Sequence, residues 1–173
     1  EGLGLVKLDK DSNIIWSYGG RAHHDLAVLE NGEIFVLTRE MSIVPWVNPS
    51  KQSDVDYVVV LDANGKELRK FSLLDCFNQS PYRVLLERMP FEGDLFHTNT
   101  LEVLDGKFNE RSSIFAQGNI LTSIWQLDTI AIVDPTKQSV VWAMNGMWRK
   151  QHQPTLLDNG NMLIFDNLGN NER

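Results

Sequence analysis

The chain is short of cysteine, of clustered basic charge and of long apolar runs, and each shortage closes a class of answers. A single cysteine, Cys76, excludes an internal disulfide and leaves the redox compartment open. Lys and Arg total 16 against 23 Asp and Glu, a net charge of −7, and no basic cluster stands out. Nucleic acid is therefore not an expected partner. The apolar runs fall far short of the roughly 20 residues that cross a bilayer as a helix, so no membrane span is expected in this chain. There is no Gly-rich phosphate loop, no nucleophile elbow and no calcium loop of the EF-hand kind. Glu1-Gly2-Leu3-Gly4 is not a signal peptide and reads like the middle of a strand-rich protein. Gly169 to Arg173 stops just after a strand-like run. The chain is thus expected to be a fragment with material missing at both ends.

What is present is a hairpin that recurs. The 173 residues, 42% hydrophobic, suit one domain with a real core. Leu5 to Leu8, the polar turn from Asp9 and Asn13 to Trp16 read as strand, turn, strand. His23-His24-Asp25 leads a third strand, Asn31-Gly32 turns it, and Glu33 to Thr38 is the fourth. Asn-Gly predicts a type I′ turn, with positive φ at both central residues. Ser42 to Val55, with two prolines, reads as a loop between sheets. Tyr57 to Leu61, the turn at Asp62 and Glu67 to Phe71 repeat the opening, and Thr129 to Asp134 with Val140 to Trp142 repeat it again. Between them, Leu73 to Met89 carries helical spacing and is expected to be a helical insertion, with Cys76 in its core and Pro81 near a helix start. Short strands in units of about 40 to 70 residues predict an all-β fold. The predicted architecture is a single-domain, partial β-propeller over residues 1–173, built of four-stranded antiparallel blades, about three to four of them present.

Each unit carries one histidine at a matching place: His24, His97 and His152. Equivalent positions in a radial repeat lie at one radius and height, so the three are expected to converge on a common pocket. Histidine serves as nucleophile, as general acid or base and as metal ligand. Two competing accounts stand beside a catalytic cluster. One is a structural histidine bonded within each unit. The other is a three-histidine zinc site, although no local His-x-His or His-x-x-x-His pair supports it. His23 is expected to point away from His24, because neighbours in a strand face opposite sides. Asp25 is placed to orient a ring nitrogen or to cap a turn, and Asn99 to donate to an anion. Arg21 and Arg149 stand in loops just before histidines and suit a sulfate or phosphate oxygen. Trp16 and Trp142 read as packing residues, and Trp148 and Trp125 as candidate platforms for an aromatic ligand.

The motifs together resemble the bacterial arylsulfotransferase family. They are His24-Asp25-Leu26 with Leu29-x-Asn31-Gly32, Asp94-x-Phe96-His97-x-Asn99, Leu127-Asp128-Thr129-Ile130-Ala131-x-x-Asp134, and Gln151-His152-x-Pro154-x-Leu156-Leu157-x-Asn159-Gly160-Asn161-x-Leu163-x-Phe165-Asp166-Asn167. The resemblance implies a propeller of about six blades. It implies transfer of a sulfuryl group from an aryl sulfate to a phenol through a sulfohistidine, with no cofactor and no metal. It places the nucleophile at His152 and supporting roles at His24 and His97; Asn99, Arg149, Trp148 and Trp125 remain the residue-based candidates for the substrate side. It also implies a periplasmic or other extracytoplasmic setting. Two positions depart from the family pattern: Trp125 stands where an arginine is usual, and Gln153 where an acidic residue is common. Arg149, Arg111 or Arg21 is then expected to supply the charge. The alternative is an impaired propeller that binds aryl sulfates, or another small anion, without turnover.

Overall fold

The structure is a computed structural model that describes residues 3–168; the expected end of the chain at Gly169 to Arg173 lies outside the described residues. The fold is all-β apart from short helical pieces. The strands are β1 (Leu5–Leu8), β2 (Ile14–Tyr18), β3 (Ala22–Val28), β4 (Ile34–Ile43), β5 (Gln52–Leu61), β6 (Glu67–Ser72), β7 (Gly93–Asp94), β8 (Thr98–Val103), β9 (Ile120–Ile124), β10 (Thr129–Asp134), β11 (Ser139–Asn145), β12 (His152–Leu156) and β13 (Met162–Phe165). They form four sheets: β1-β2, β3-β4-β5-β6 with β7 added beside β5, β8-β9-β10-β11, and β12-β13. Each of the two larger sheets is an antiparallel meander, apart from the parallel β5–β7 pair.

Strand periodicity explains how the sheets stack. Successive residues point to opposite faces. Ile34 and Val36 of β4 therefore face Leu5, Trp16 and Tyr18 of the first hairpin, while Phe35 and Leu37 face Leu101, Ile124 and Ala131 of the third sheet. In β10, Ala131 and Val133 join that same core, and Ile130 and Ile132 turn to Leu156, Met162 and Ile164 of the last hairpin. The two central sheets are covered on both faces, which is why residues 34–37 of β4, 58–61 of β5 and 130–133 of β10 read as continuous apolar runs. The sheets curl together into a half-barrel.

The repeat differs from the sequence reading in phase. The turn at Asp9 joins β1 and β2, which pair in a sheet of their own, and β3 starts the next. Ser42 to Val55 is not a link between sheets but the tip of the long β4–β5 hairpin, paired from Ile34↔Leu61 to Ile43↔Gln52. A continuous ten-residue ladder holds that segment in one sheet despite its polar residues. β9 and β10 likewise belong to one sheet, joined by a helical turn over Trp125–Leu127. The three sheets that follow the first hairpin thus each begin with a histidine-bearing segment. The Asn-Gly turns also differ from expectation. Only the glycine adopts positive φ, 86° at both Gly32 and Gly160. Leu29 N–H donates to Glu33 O and Gly32 N–H to Leu29 O, which is a three-residue loop with a glycine bulge. Asn31 contributes by accepting the Glu33 N–H on its Oδ1.

The expected Asp turns recur as read. Asp9, Asp62 and Asp134 each accept two following backbone N–H groups on Oδ1. The helical insertion is also present, as an α-helix α1 (Leu73–Asn78) and a 3-10 helix over Arg83–Arg88. Ser72 caps α1 by accepting the Asp75 N–H, and Leu73, Leu74, Cys76 and Phe77 bury its inner face.

The starting strands β3, β8 and β12 lie side by side, each at the edge of its own sheet. Side chains tie them laterally. Asp25 Oδ2 accepts the Leu101 N–H, Asn99 Nδ2 donates to Gln151 O, Thr100 Oγ1 accepts the Gln153 N–H, and Glu102 accepts the Leu156 N–H. Gln151, fully buried, pins the last hairpin to the third sheet through Nε2 contacts with Ser123 Oγ, Ile124 O and Thr129 O. Gln151→Ala is expected to lower stability by about 1–3 kcal/mol, because buried partners lose their bonds without gaining water. The shift of the urea midpoint measures it.

Candidate active site

The side-by-side starting strands bring three imidazoles together. The His24 and His97 ring centroids are 4.9 Å apart, and those of His24 and His152 6.4 Å. The convergence holds, but the positions are not all equivalent. His24 and His152 each stand five residues before the leucine that closes the hairpin (24 to 29, 152 to 157), whereas in the middle sheet that place belongs to Asn99 (99 to 104). His97 precedes β8 and reaches the cluster from a left-handed backbone position, φ 50°.

Each ring is held at Nδ1. His97 Nδ1 lies 2.6 Å from Asp94 Oδ2, and His97 N–H donates to Asp94 Oδ1. His152 Nδ1 lies 3.1 Å from Lys150 O and 3.0 Å from Asn167 Nδ2. His24 Nδ1 lies 2.9 Å from His23 Nδ1. That last contact corrects the expectation that His23 points away. His24 sits in a β-bulge with φ 52°, and the bulge breaks the alternation of the strand. Among the described residues, the three Nε2 atoms make no hydrogen bond, so three ring nitrogens are available to a ligand.

Behind the rings lies a charge network that sequence reasoning missed. Arg39 of β4 contacts Asp56 Oδ1 through Nε and Asp94 Oδ2 through a terminal nitrogen, both at 3.0 Å. The Arg39 and Asp56 side chains are only 5% and 0% exposed. Asp56 Oδ2 accepts the Thr98 N–H at 2.7 Å, and Asp56 Oδ1 lies 3.5 Å from His23 Nε2. A signal was available: one cation and one anion close two apolar runs, Ile34 to Arg39 and Asp56 to Leu61, that pair with Arg39 opposite Asp56. Asp94 is placed by β7, which pairs with Ser53 and Asp54 at the start of β5. Burial pushes the Asp94 carboxyl up, but the His97 hydrogen bond and the Arg39 charge outweigh it and hold it below the usual carboxylate range.

Burial and then the neighbouring His23, His97, Arg39 and His152 push His24 down to about 4. Burial also lowers His23, against the pull of Asp56. Both rings are therefore neutral at neutral pH. A histidine lowered in the folded state gives stability that is complete above its unfolded value of 6.5 and is lost as pH falls from there toward about 4. By its accessible surface His24 is exposed, so water screens much of the effect. The urea midpoint is expected to fall across that window, and His24→Asn to flatten the fall.

The other candidates divide. Trp125 stacks near His97, centroids 5.1 Å apart, and the Lys150 ammonium lies 3.3 Å from the Trp125 ring centroid. Lys150 is the second cation that sequence reasoning missed. Asn99 is buried and acts on the strand beside it. Asp25 neither orients a ring nor simply caps a turn; it joins β3 to β8. The structure does not bring Trp148 or the three expected arginines to the rings. Trp148 donates to Asp128 O and packs under the last hairpin. Arg149 is exposed, and among the described residues it is held through its backbone: its N–H donates to Asp166 and its carbonyl accepts the Leu168 N–H. Arg111 stacks on Phe108, and Arg21 pairs with Asp54 at 3.3 Å. Trp16 is a packing residue as expected, with its indole on Ala63 O. Beside the cluster, a groove of about 340 Å³ is lined by Leu5, Ala22, His23, His24, Leu26 and Val36 among others. Among the described residues, no group of three His, Cys, Asp or Glu side chains is placed to hold a metal ion.

Comparison with known proteins adds three findings. No curated protein matches the chain at a significant level. A crystal structure of a protein of unknown function from Bacteroides caccae superposes with a TM-score of 0.52 at 12% identity, over 94% of this chain and 46% of that one. At that identity the likeness speaks to the fold alone, and this chain spans less than half the length of its match. The family model described as Arylsulfotransferase (ASST) matches residues 2–173.

Proposed function

The chain belongs to the arylsulfotransferase family, and from that premise we propose that its histidine cluster moves a sulfuryl group from an aryl sulfate to a phenol through a sulfohistidine. The observation that carries the reading is the convergence of His24, His97 and His152, each anchored at Nδ1 with Nε2 unbonded. His152 is the nucleophile by its place in the family motif. His152 Nδ1 lies between the Lys150 carbonyl, which accepts, and the Asn167 amide nitrogen, which donates; the reaction uses the tautomer with Nδ1–H on the carbonyl, which keeps the lone pair on Nε2 for attack on sulfur.

In the first half-reaction His152 Nε2 forms a bond to sulfur. The bond from sulfur to the aryl oxygen breaks, and its electron pair leaves with the phenolate. In the second, an acceptor phenol loses its proton to a neighbouring imidazole. Its oxygen bonds to sulfur, and the nitrogen–sulfur bond returns its pair to His152. Two displacements replace one harder transfer. The sulfuryl oxygens carry negative charge throughout. Lys150 is the cation nearest the rings on the Trp125 side, and neutral His24 and His97 supply polar contacts. The apolar part of the groove at Leu5, Ala22, Leu26 and Val36 suits an aryl ring.

The sheet stack with its starting strands together is what supports a propeller, in which β3, β8 and β12 are innermost strands around a common axis. An extracytoplasmic setting is part of the same proposal. Among the described residues no helix is long and apolar enough to cross a membrane.

The test is to incubate the chain with p-nitrophenyl sulfate and quench it in base, because a sulfohistidine is acid-labile. Peptide mass spectrometry is expected to find one SO₃ on the peptide holding His152. Aryl sulfate that binds with no adduct and no released phenol would mean a binding protein instead.

A further inference from the structure

The network behind the cluster does more than neutralise itself. We propose that Asp94, clamped by Arg39, is a positioning residue that fixes the His97 ring in one tautomer, with the proton on Nδ1 and the lone pair on Nε2 facing the cluster. This rests on reading the cluster as a sulfuryl-transfer site and adds to it a specific proton acceptor and the reason that group is ready.

Two bonds from one carboxylate define the ring's place. Asp94 Oδ1 accepts the His97 backbone N–H at 2.8 Å, and Oδ2 lies 2.6 Å from Nδ1. An ionised carboxylate only accepts, so Nδ1 must carry the hydrogen. Arg39 keeps the carboxylate ionised and stationary, since its guanidinium meets Asp94 Oδ2 and Asp56 Oδ1 at once. Asp56 in turn accepts the N–H of Thr98, the residue after His97. The backbone on both sides of the ring is therefore held by one buried charge network. Trp125 covers His97 at 5.1 Å and limits its rotation. Among the described residues His24 and His152 have no such partner: their Nδ1 atoms face another imidazole, a carbonyl and an amide. His97 is the ring of the three whose protonated form is matched by a carboxylate.

That asymmetry gives His97 the acid–base work. When the acceptor phenol attacks, its O–H proton passes to His97 Nε2. The imidazolium that forms is held by Asp94, which does not itself take the proton. In the next turnover that proton passes from Nε2 to the aryl oxygen as it leaves the donor, which restores the Nδ1–H tautomer. The arrangement follows the general logic of a carboxylate that orients a catalytic imidazole.

The test is nitrogen-15 NMR of the histidine rings in the full chain, with His97 assigned through His97→Gln. In the wild-type protein His97 is expected as the Nδ1–H tautomer; the Nε2–H tautomer there would overturn the inference without any variant. Asp94→Asn places an amide N–H opposite Nδ1 and is expected to drive the proton to Nε2, with the strand spectrum by circular dichroism retained. A ring that stays Nδ1–H in a folded Asp94→Asn protein would also overturn it. In turnover, the same change is expected to lower kcat on the order of 10² to 10⁴-fold, the range of a misplaced tautomer, with KM much less affected. A wild-type chain that transfers no sulfuryl group would sink the proposed function, while the tautomer measurement would still decide the role of Asp94.

Discussion

His152→Ala is expected to remove sulfuryl transfer by a factor on the order of 10⁴ or more, the scale of losing a covalent nucleophile. The SO₃ adduct should vanish with it. Replacing His152 leaves His24 and His97 in place, but in the proposed mechanism neither stands at the nucleophile's place in the family motif. His24→Ala and His97→Ala are expected to cost less, roughly 10² to 10⁴-fold, as befits groups that share charge and move protons. The two effects separate in one assay, since these variants should still accumulate adduct when no acceptor is present. An adduct found on His24 or His97 in the wild-type chain would move the nucleophile there.

Arg39→Met is the change expected to cost most in stability, about 3–5 kcal/mol. Methionine fills much of the volume but removes the guanidinium that Asp56 and Asp94 share, and Asp56 is fully buried. Removing one member of a buried ionic group costs more than the group as a whole contributes, because the survivors remain desolvated. The double change Arg39→Met with Asp56→Asn should therefore recover part of the loss. Urea unfolding of the three proteins checks it. A loss below about 1 kcal/mol would mean that water reaches these carboxylates as it does an exposed pair.

Local features of the fold are legible in the sequence, and the departures have physical causes. The Asp9, Asp62 and Asp134 turns, the Asn-Gly hairpins and the helical insertion are local, so neighbouring residues decide them. The phase of the repeat is not local. Nothing around Gly19 or Ser42 states which of two adjoining segments leaves its sheet; that depends on whether β4 finds β5 as its partner. The same holds at the site. His24, His97 and His152 can be picked out as recurring histidines, and they do meet. His97 meets them from a different position than its spacing implies, because Asp94 and a left-handed backbone turn it inward. Arg149 and Arg21 draw attention by closeness in sequence, yet the cations at the site are Lys150 and Arg39. Arg39 comes from β4, just past that strand's apolar run, and meets Asp56 of the paired strand.

The sequence by itself determined the all-β character, the hairpin grammar, the histidines and, through its motifs, the family. Alternation along strands and turn chemistry act over a few residues and are written in them. Only the tertiary structure decided which strands share a sheet, which cation stands beside which ring, and which nitrogen of each imidazole is free. Those outcomes depend on burial. A charge such as Arg39 is tolerable inside only when the fold delivers Asp56 and Asp94 to it from two other segments, and no short stretch of sequence records that meeting.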